Sequence, residues 1–301
     1  MEFTHTPIIA KMPASILPEG TALVLEGGGT RGFYSAGVFE AFYDAGIMFP
    51  YIVSVSAGSA NALSYVAGQP GRNRQVVEHY AGDPRYVSRR NLLRHRSIFG
   101  MEFVFHEIPQ KHIYVDWEMF EKQDIRFLTG ALDCKTGQTV WFEKRELTPQ
   151  LEPVMASCSV PLLSPIVQYK GYDLLDGGIA DPIPIEKSIA DGNRFHVVVL
   201  TRNSGYRKEA FGHGRLLTLF YRKYPKLVEA ILKRHETYNR QLDLCEQLEK
   251  EGKAVIIRPL KQLQVERTES DSGKLLALYD EGHAEGAANL DLILRSCTKI
   301  T

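Results

Sequence analysis

Thr21-Ala-Leu-Val-Leu-Glu26-Gly27-Gly28-Gly29-Thr30-Arg31-Gly32 begins as a short apolar run, stops at glycines, and gives way to helical spacing of Phe33, Val38, Phe39 and Phe42 toward Gly46. A run of this length bounded by glycine predicts a buried strand, and the change of period after it predicts a helix. The same order repeats at once. Tyr51-Ile-Val-Ser-Val55 is β-branched, ends in Ser56-Ala57-Gly58, and is followed by the helix-compatible segment 59–67. Two strand–turn–helix units in succession imply parallel strands in one sheet.

Residues 72–122 read as helical or irregular. Segments 124–133 and 138–143 read as a hairpin turning through Lys135-Thr-Gly137, and a helix is expected around 150–157. Segments 165–169 and 172–175 form a second strand pair closing on Lys170-Gly171, followed by the loop Asp176-Gly177-Gly178 and a helix over 185–190. Phe195-His-Val-Val-Val-Leu200 is the clearest buried strand in the chain. Beyond it, 211–251 is helical with a break at Pro225, 254–258 is a last strand, and 275–294 is one or two closing helices. The sum is one layered α/β domain with a helical C-terminal part.

The chain has 301 residues and 44% hydrophobic composition, enough to bury a full core. Its 36 basic residues balance 36 acidic ones, so no global charge points to nucleic acid, and any preference for a charged surface must be local. The first 20 residues lack the pattern of a leader peptide, and no later run approaches the ~20 apolar residues of a membrane span, which predicts a cytoplasmic protein. Cys134, Cys158, Cys245 and Cys297 are scattered, with no pair or histidine at ligand spacing, so reduced thiols are expected rather than disulfides or a zinc site. Asp173, Asp176 and Asp181 lie close in sequence, but a strand followed by a glycine loop points them apart, and no metal is expected there.

Ser54-Val-Ser56-Ala57-Gly58 sits where a strand turns sharply into a helix. That turn presents a serine hydroxyl at the sheet edge beside backbone N–H groups. Taken alone the string fits a helix N-cap serine equally well. The 27–32 loop adds weight to a nucleophile, because acyl transfer needs backbone donors aimed at a developing oxyanion and glycine lets the main chain approach that closely. The amides near Gly28 and Gly29 are the candidate donors, with Arg31 anchoring the loop or adding positive potential. Glycines at 27, 28, 29 and 32 fit neither nucleotide-loop spacing, and no Gly-Lys-Ser/Thr follows. Asp176, in a glycine loop after an apolar strand, offers the base. No histidine has a distinctive loop setting: His196 heads a buried strand, and His213 and His283 sit in polar helical contexts.

These blocks, in this order, resemble the patatin-like phospholipase family, in which G-G-G-x-R-G, G-x-S-x-G and D-G-G/A motifs build a Ser–Asp dyad without histidine in a three-layer α/β/α fold. Gly27, Gly28, Gly29, Thr30, Arg31 and Gly32 match the first motif. Ser56, Ala57 and Gly58 match the second, with Ser54 in place of its first glycine. Asp176, Gly177 and Gly178 match the third. Ala156-Ser157-Cys158-Ser159-Val160-Pro161 also looks like an A-S-x-A-x-P segment of the family. The resemblance covers roughly residues 20–200 and implies a mainly parallel central sheet; the chain is expected to divide into an N-terminal segment 1–20, a catalytic domain 21–204, and a mainly helical extension 205–301 packed on it, which looks like the C-terminal extension of some bacterial members. It implies Ser56 as nucleophile, Asp176 as general base, an oxyanion loop over 27–32 and no cofactor or metal, acting on a lipid or other acyl ester.

A soluble esterase or thioesterase shares every one of these residues, and a non-catalytic acyl-binding module is the reading that the Ser54 departure supports. Two stretches mix basic and apolar residues. One carries Arg89, Arg90, Arg94 and Arg96 among Leu92, Leu93, Ile98 and Phe99; the other carries Arg222, Lys223, Lys226, Lys233 and Arg234 among Leu217, Phe220, Tyr221 and Tyr224. Either suits peripheral contact with an anionic membrane at the inner face; solvated helix faces over a core stripe are the plainer reading.

Overall fold

The computed structural model describes residues 8–212 and 214–298, so His213 and the start of the N-terminal segment lie outside the described residues. After β1 (Ser15–Ile16) come β2 (Thr21–Leu25), α1 (Phe33–Asp44), β3 (Ile47–Met48), β4 (Tyr51–Val55) and α2 (Ala57–Val66). β1 pairs in parallel with β3, a two-stranded ribbon too short to leave a period in the sequence. Helices α3 (Arg72–Tyr80) and α4 (Arg89–His95), a π-helical segment Phe103–His112, and α5 (Trp117–Lys122) fill the region read as helical or irregular. The expected hairpin is β5 (Arg126–Asp133) with β6 (Thr139–Glu143). Then follow α6 (Glu152–Ser157), β7 (Val167–Tyr169), β8 (Tyr172–Asp176), α7 (Ile185–Ala190) and β9 (Phe195–Val199). The C-terminal part supplies α8 (Gly214–Phe220), α9 (Pro225–Lys250), β10 (Ala254–Ile257) and one continuous closing helix, α10 (Ser272–Cys297).

The main sheet runs β10-β9-β2-β4-β5-β8-β7, with β6 also paired to β5. From β10 to β5 every pairing is parallel; β6, β7 and β8 add the antiparallel part. Helices cover both faces. On one face Leu23, Leu25, Val197 and Val199 pack with α1, α2 and α10; on the other Ala22, Val24, Val198 and Leu200 pack with Ile185 of α7 and Tyr238, Leu242 and Cys245 of α9. Burial on both sides is why these strands read as unbroken apolar runs rather than as alternating ones.

The antiparallel part decides where the chemistry can sit. β4 lies parallel to β5 and ends with Val55 opposite Gly130, while β8 lies antiparallel to β5 and ends with Asp176 opposite Ala131. β4 and β8 therefore lie beside successive parts of β5 and run toward each other. Their C-terminal ends meet head to head, so Ser56 and Asp176 become neighbours although 120 residues separate them.

The closing helix packs on α1 through glycines. A Cβ on Gly37 would lie 1.9 Å from the Tyr279 carbonyl oxygen, and one on Gly282 would lie 2.0 Å from that of Tyr34. Both obstacles are backbone, which cannot rotate away. Helix propensity favours alanine over glycine by about 1 kcal/mol, so a loss of stability in Gly37→Ala would report the clash alone. Overpacking of this kind costs about 1–3 kcal/mol, and Gly37→Ala should lower the denaturant midpoint accordingly. An unchanged midpoint would show that the two helices separate freely.

Candidate active site

Ser56 lies between β4 and α2 with φ 55° and ψ −132°, a conformation that costs a non-glycine residue about 1–3 kcal/mol and persists where the surroundings enforce it. Its hydroxyl does not cap α2. It donates to Asp176 Oδ2 at 2.8 Å, and both residues are buried, 5% and 6% exposed. The Ser56 amide donates to Ser157 Oγ at 2.7 Å, and that hydroxyl donates to the Gly130 carbonyl at 2.6 Å, which ties the strained turn to the middle of β5. Asp176 Oδ1 accepts from the Gly178 amide at 2.7 Å, and Arg234 Nε donates to the Gly178 carbonyl. The carboxylate is thus held from one side and leaves its other oxygen for the serine.

The glycine loop is clamped from three directions. Gly27 packs on Ser56, where an added Cβ would come within 2.7 Å of the serine Cβ. Thr201 Oγ1 donates to the Gly27 carbonyl at 3.1 Å, and the Thr201 amide donates to buried Glu26 at 2.6 Å. Gly29 requires glycine twice over: its φ is +60°, and a Cβ would lie 2.4 Å from the Arg267 carbonyl oxygen. Among the described residues the Gly28 and Gly29 amides have no backbone or side-chain acceptor, whereas the Thr30 amide donates to Arg267 O at 3.0 Å.

Not all of the 27–32 segment faces the serine. Gly27, Gly28, Gly29 and Arg31 line the same cavity as Ser56 and Asp176. Thr30 lines the apolar cavity beside Ser56 but turns its hydroxyl to the C-terminal loop, donating to Glu266 O and accepting from the Glu269 amide, both at 3.0 Å. Gly32 packs against Ala57 and accepts from Asn61 Nδ2 at 2.8 Å, and Gly58 packs against the Glu26 carbonyl. Gly177 fits against the Gly130 carbonyl, where a Cβ would lie at 2.0 Å. Ser54 directs its hydroxyl into the sheet, donating to Leu128 O at 3.0 Å and sharing a 2.8 Å bond with Ser59 Oγ.

Two cavities meet at Ser56. One is apolar, walled by Phe33, Tyr86, Phe99, Met101, Val104 and Phe105. The other is polar and holds Arg31, Arg202, Lys208, Arg234 and Arg267. Among the described residues no histidine lines either. His196 is buried against Ser188 with its pKa pressed down to about 4 by burial, and His283 pairs with Asp44 at the surface. Asp173 bonds Lys135 and Tyr224, and Asp181 bonds Gln241, so the three aspartates of that stretch do diverge.

Burial raises the Asp176 carboxyl above the ordinary aspartate range; the positive charge of Arg234, the Ser56 hydroxyl, the Gly178 amide and Arg267 pull it back down. A hydrolysis that used Asp176 as its base would need the ionised carboxylate, so its kcat/KM is expected to fall on acidification through a pKa above the usual ~3.9. An acidic limb at or below that value would mean that the titrating group is not this buried carboxyl.

The second basic stretch does not form one exposed face. Leu217 is buried, the Tyr221 hydroxyl accepts from the Leu162 amide, and the Tyr224 hydroxyl donates to Asp173, which leaves Leu219 and Phe220 outside. In the first stretch Arg89, Arg90, Leu93, Arg94 and Arg96 are exposed while Phe99 lines both cavities. No helix among the described residues is long and apolar enough to cross a membrane.

The site thus places a strained serine, bonded to a buried aspartate, beside a glycine loop on a mostly parallel sheet covered by helices. The model of the patatin-like phospholipase family matches residues 23–189, and the chain belongs to that family. A second model, a domain of unknown function (DUF6363), matches residues 224–297. Among curated relatives, the uncharacterized protein YjjU of Escherichia coli K12 is 25% identical over 189 residues, 61% of this chain and 52% of its own length. An uncharacterized NTE family protein of Mycobacterium tuberculosis, Rv1063c, is 26% identical over 58% of this chain and 48% of its own. The lysophospholipase NTE1 of Scheffersomyces stipitis is 26% identical over 60% of this chain and 12% of its own. The chain spans about half the length of the first two. The crystal structure of VipD from Legionella pneumophila superposes with a TM-score of 0.51 at 14% identity, covering 91% of this chain and 67% of that one, a likeness of fold.

Proposed function

We propose that the protein is a lipid acyl hydrolase in which Ser56 attacks an ester carbonyl while Asp176 takes its proton. The observation that carries this reading is the 2.8 Å bond from Ser56 Oγ to a buried carboxylate, with no histidine between them. The oxyanion of the tetrahedral intermediate is met by the Gly28 and Gly29 amides, backed by the charge of Arg31. Collapse expels the alcohol, with its proton returned from Asp176, and leaves an acyl-serine. Water, deprotonated by the same carboxylate, then attacks the acyl carbonyl, and Asp176 returns that proton to Ser56 Oγ as the acid is released. The acyl chain lies in the apolar cavity under Phe99 and Phe105. No step calls for a metal or an organic cofactor.

The test is fluorophosphonate labelling of the folded protein, followed by fatty-acid release from glycerophospholipids compared with short soluble esters. Labelling confined to Ser56 together with fatty-acid release is expected. Turnover of soluble esters only would favour an esterase or thioesterase, and folded protein that resists labelling would leave an acyl-binding module.

A further inference from the structure

The polar cavity holds more positive charge than the hydrolytic step uses. Arg31, Arg202, Lys208, Arg234 and Arg267 face two carboxylates, Glu26 and Asp176. Among the described residues none of the five makes a salt bridge. Arg31 is 4% exposed, and its Nε has no hydrogen-bond partner. A buried guanidinium N–H left without an acceptor carries a desolvation cost that an anion would offset.

The cations feel one another. Burial, then Arg202 and Arg267, bring Arg31 down to about 10, and burial, then Arg267, does the same to Arg234. Burial, then Arg234 and Arg267, press Lys208 to about 7. The four arginines outnumber the two carboxylates by two, whatever the state of Lys208. Arg202 and Lys208 are steadied by the faces of Tyr206 and Tyr238, at 4.5 and 5.6 Å, contacts that hold a cation without neutralising it.

Four of these residues lie beyond the 23–189 match, and Arg234 and Arg267 fall within the 224–297 segment. Arg234 reaches the site from α9, and Arg267 from the loop between β10 and α10 whose backbone clamps Gly29 and Thr30. The C-terminal segment thus brings charge to the serine, in a cavity that shares Gly29, Ser56, Phe99 and Val160 with the apolar one.

We propose that this cluster is a subsite for a dianionic, phosphomonoester-type group with no cationic partner of its own, carried on the alcohol side of the ester that Ser56 attacks. The placement of the ester rests on the hydrolase reading; the anion site itself does not. A phosphocholine or phosphoethanolamine group brings an ammonium that the clustered arginines repel, so the subsite discriminates by charge.

The experiment separates binding from turnover. Calorimetry on Ser56→Ala protein compares monomeric 1-octanoyl-glycerol-3-phosphate with its phosphocholine and uncharged glycerol counterparts, and with glycerol phosphate and inorganic phosphate. The acyl phosphate is expected to bind at least about tenfold more tightly than the other two acyl compounds, with the preference cut about tenfold in Arg202→Gln and again in Arg267→Gln, as for a hydrogen bond to a charged group. Both residues are partly exposed, so these variants are checked for native thermal unfolding before comparison. Glycerol phosphate or inorganic phosphate binding as tightly as the acyl phosphate would support the anion site but assign it to a free phosphate. Equal affinity for all three acyl compounds would overturn the proposal even if Ser56-dependent ester hydrolysis is observed. Charge-selective binding without any hydrolysis would keep the subsite and remove the catalytic reading.

Discussion

Ser56→Ala is expected to abolish fluorophosphonate labelling and to lower kcat for ester hydrolysis by about four to six orders of magnitude, the scale seen when a hydrolase nucleophile is removed. The fold should survive, because alanine keeps the Cβ that fits the turn and the amide that bonds Ser157 Oγ. Removing the hydroxyl takes one hydrogen bond from Asp176, which still accepts from the Gly178 amide. Residual hydrolysis within tenfold of wild type, in protein with native unfolding, would place the nucleophile elsewhere.

Asp176→Asn is expected to be nearly as severe, because in a two-residue catalyst the base and the nucleophile act as one unit. A histidine relay would show a different pattern, with the aspartate costing distinctly less than the serine. Stability should move the other way. The folded state raises the Asp176 pKa, so it binds a proton more tightly than the unfolded chain and is destabilised by the charged form at neutral pH. The linked gain is present below the unfolded pKa and is lost as pH rises through the folded one. Asparagine keeps the acceptor for Gly178 and sheds the buried charge, so the variant should unfold at or above the wild-type temperature while hydrolysis is lost. Inactivity together with a markedly lower unfolding temperature would point to a structural role for this carboxylate.

Opposite movements of activity and stability at one residue belong to a site assembled against the preferences of its parts. Ser56 is held at positive φ, Asp176 is buried, and Arg31 lacks a partner for its Nε. Each is tolerable because the neighbours are fixed: β5 anchors the serine turn through Ser157, and the Arg267 carbonyl leaves no room for a side chain at Gly29.

The sequence alone determined the two strand–turn–helix units, the glycine loop, the serine turn and the aspartate loop, because each is a local requirement. An apolar run ended by glycines, or a residue type demanded by a turn, is written in neighbouring positions. That Ser56 and Asp176 meet was legible only as an expectation from the order of motifs; the register across Gly130 and Ala131 brings them together. The cationic cluster was not legible at all. Arg234 read as one more basic residue in an amphipathic stretch, and Arg202, Lys208 and Arg267 carried no motif. Their convergence depends on α9, the segment after β9 and the β10–α10 loop folding back over the glycine loop. Charge clustering has no sequence period, because it is decided by long-range packing of elements whose own patterns record only which side is buried.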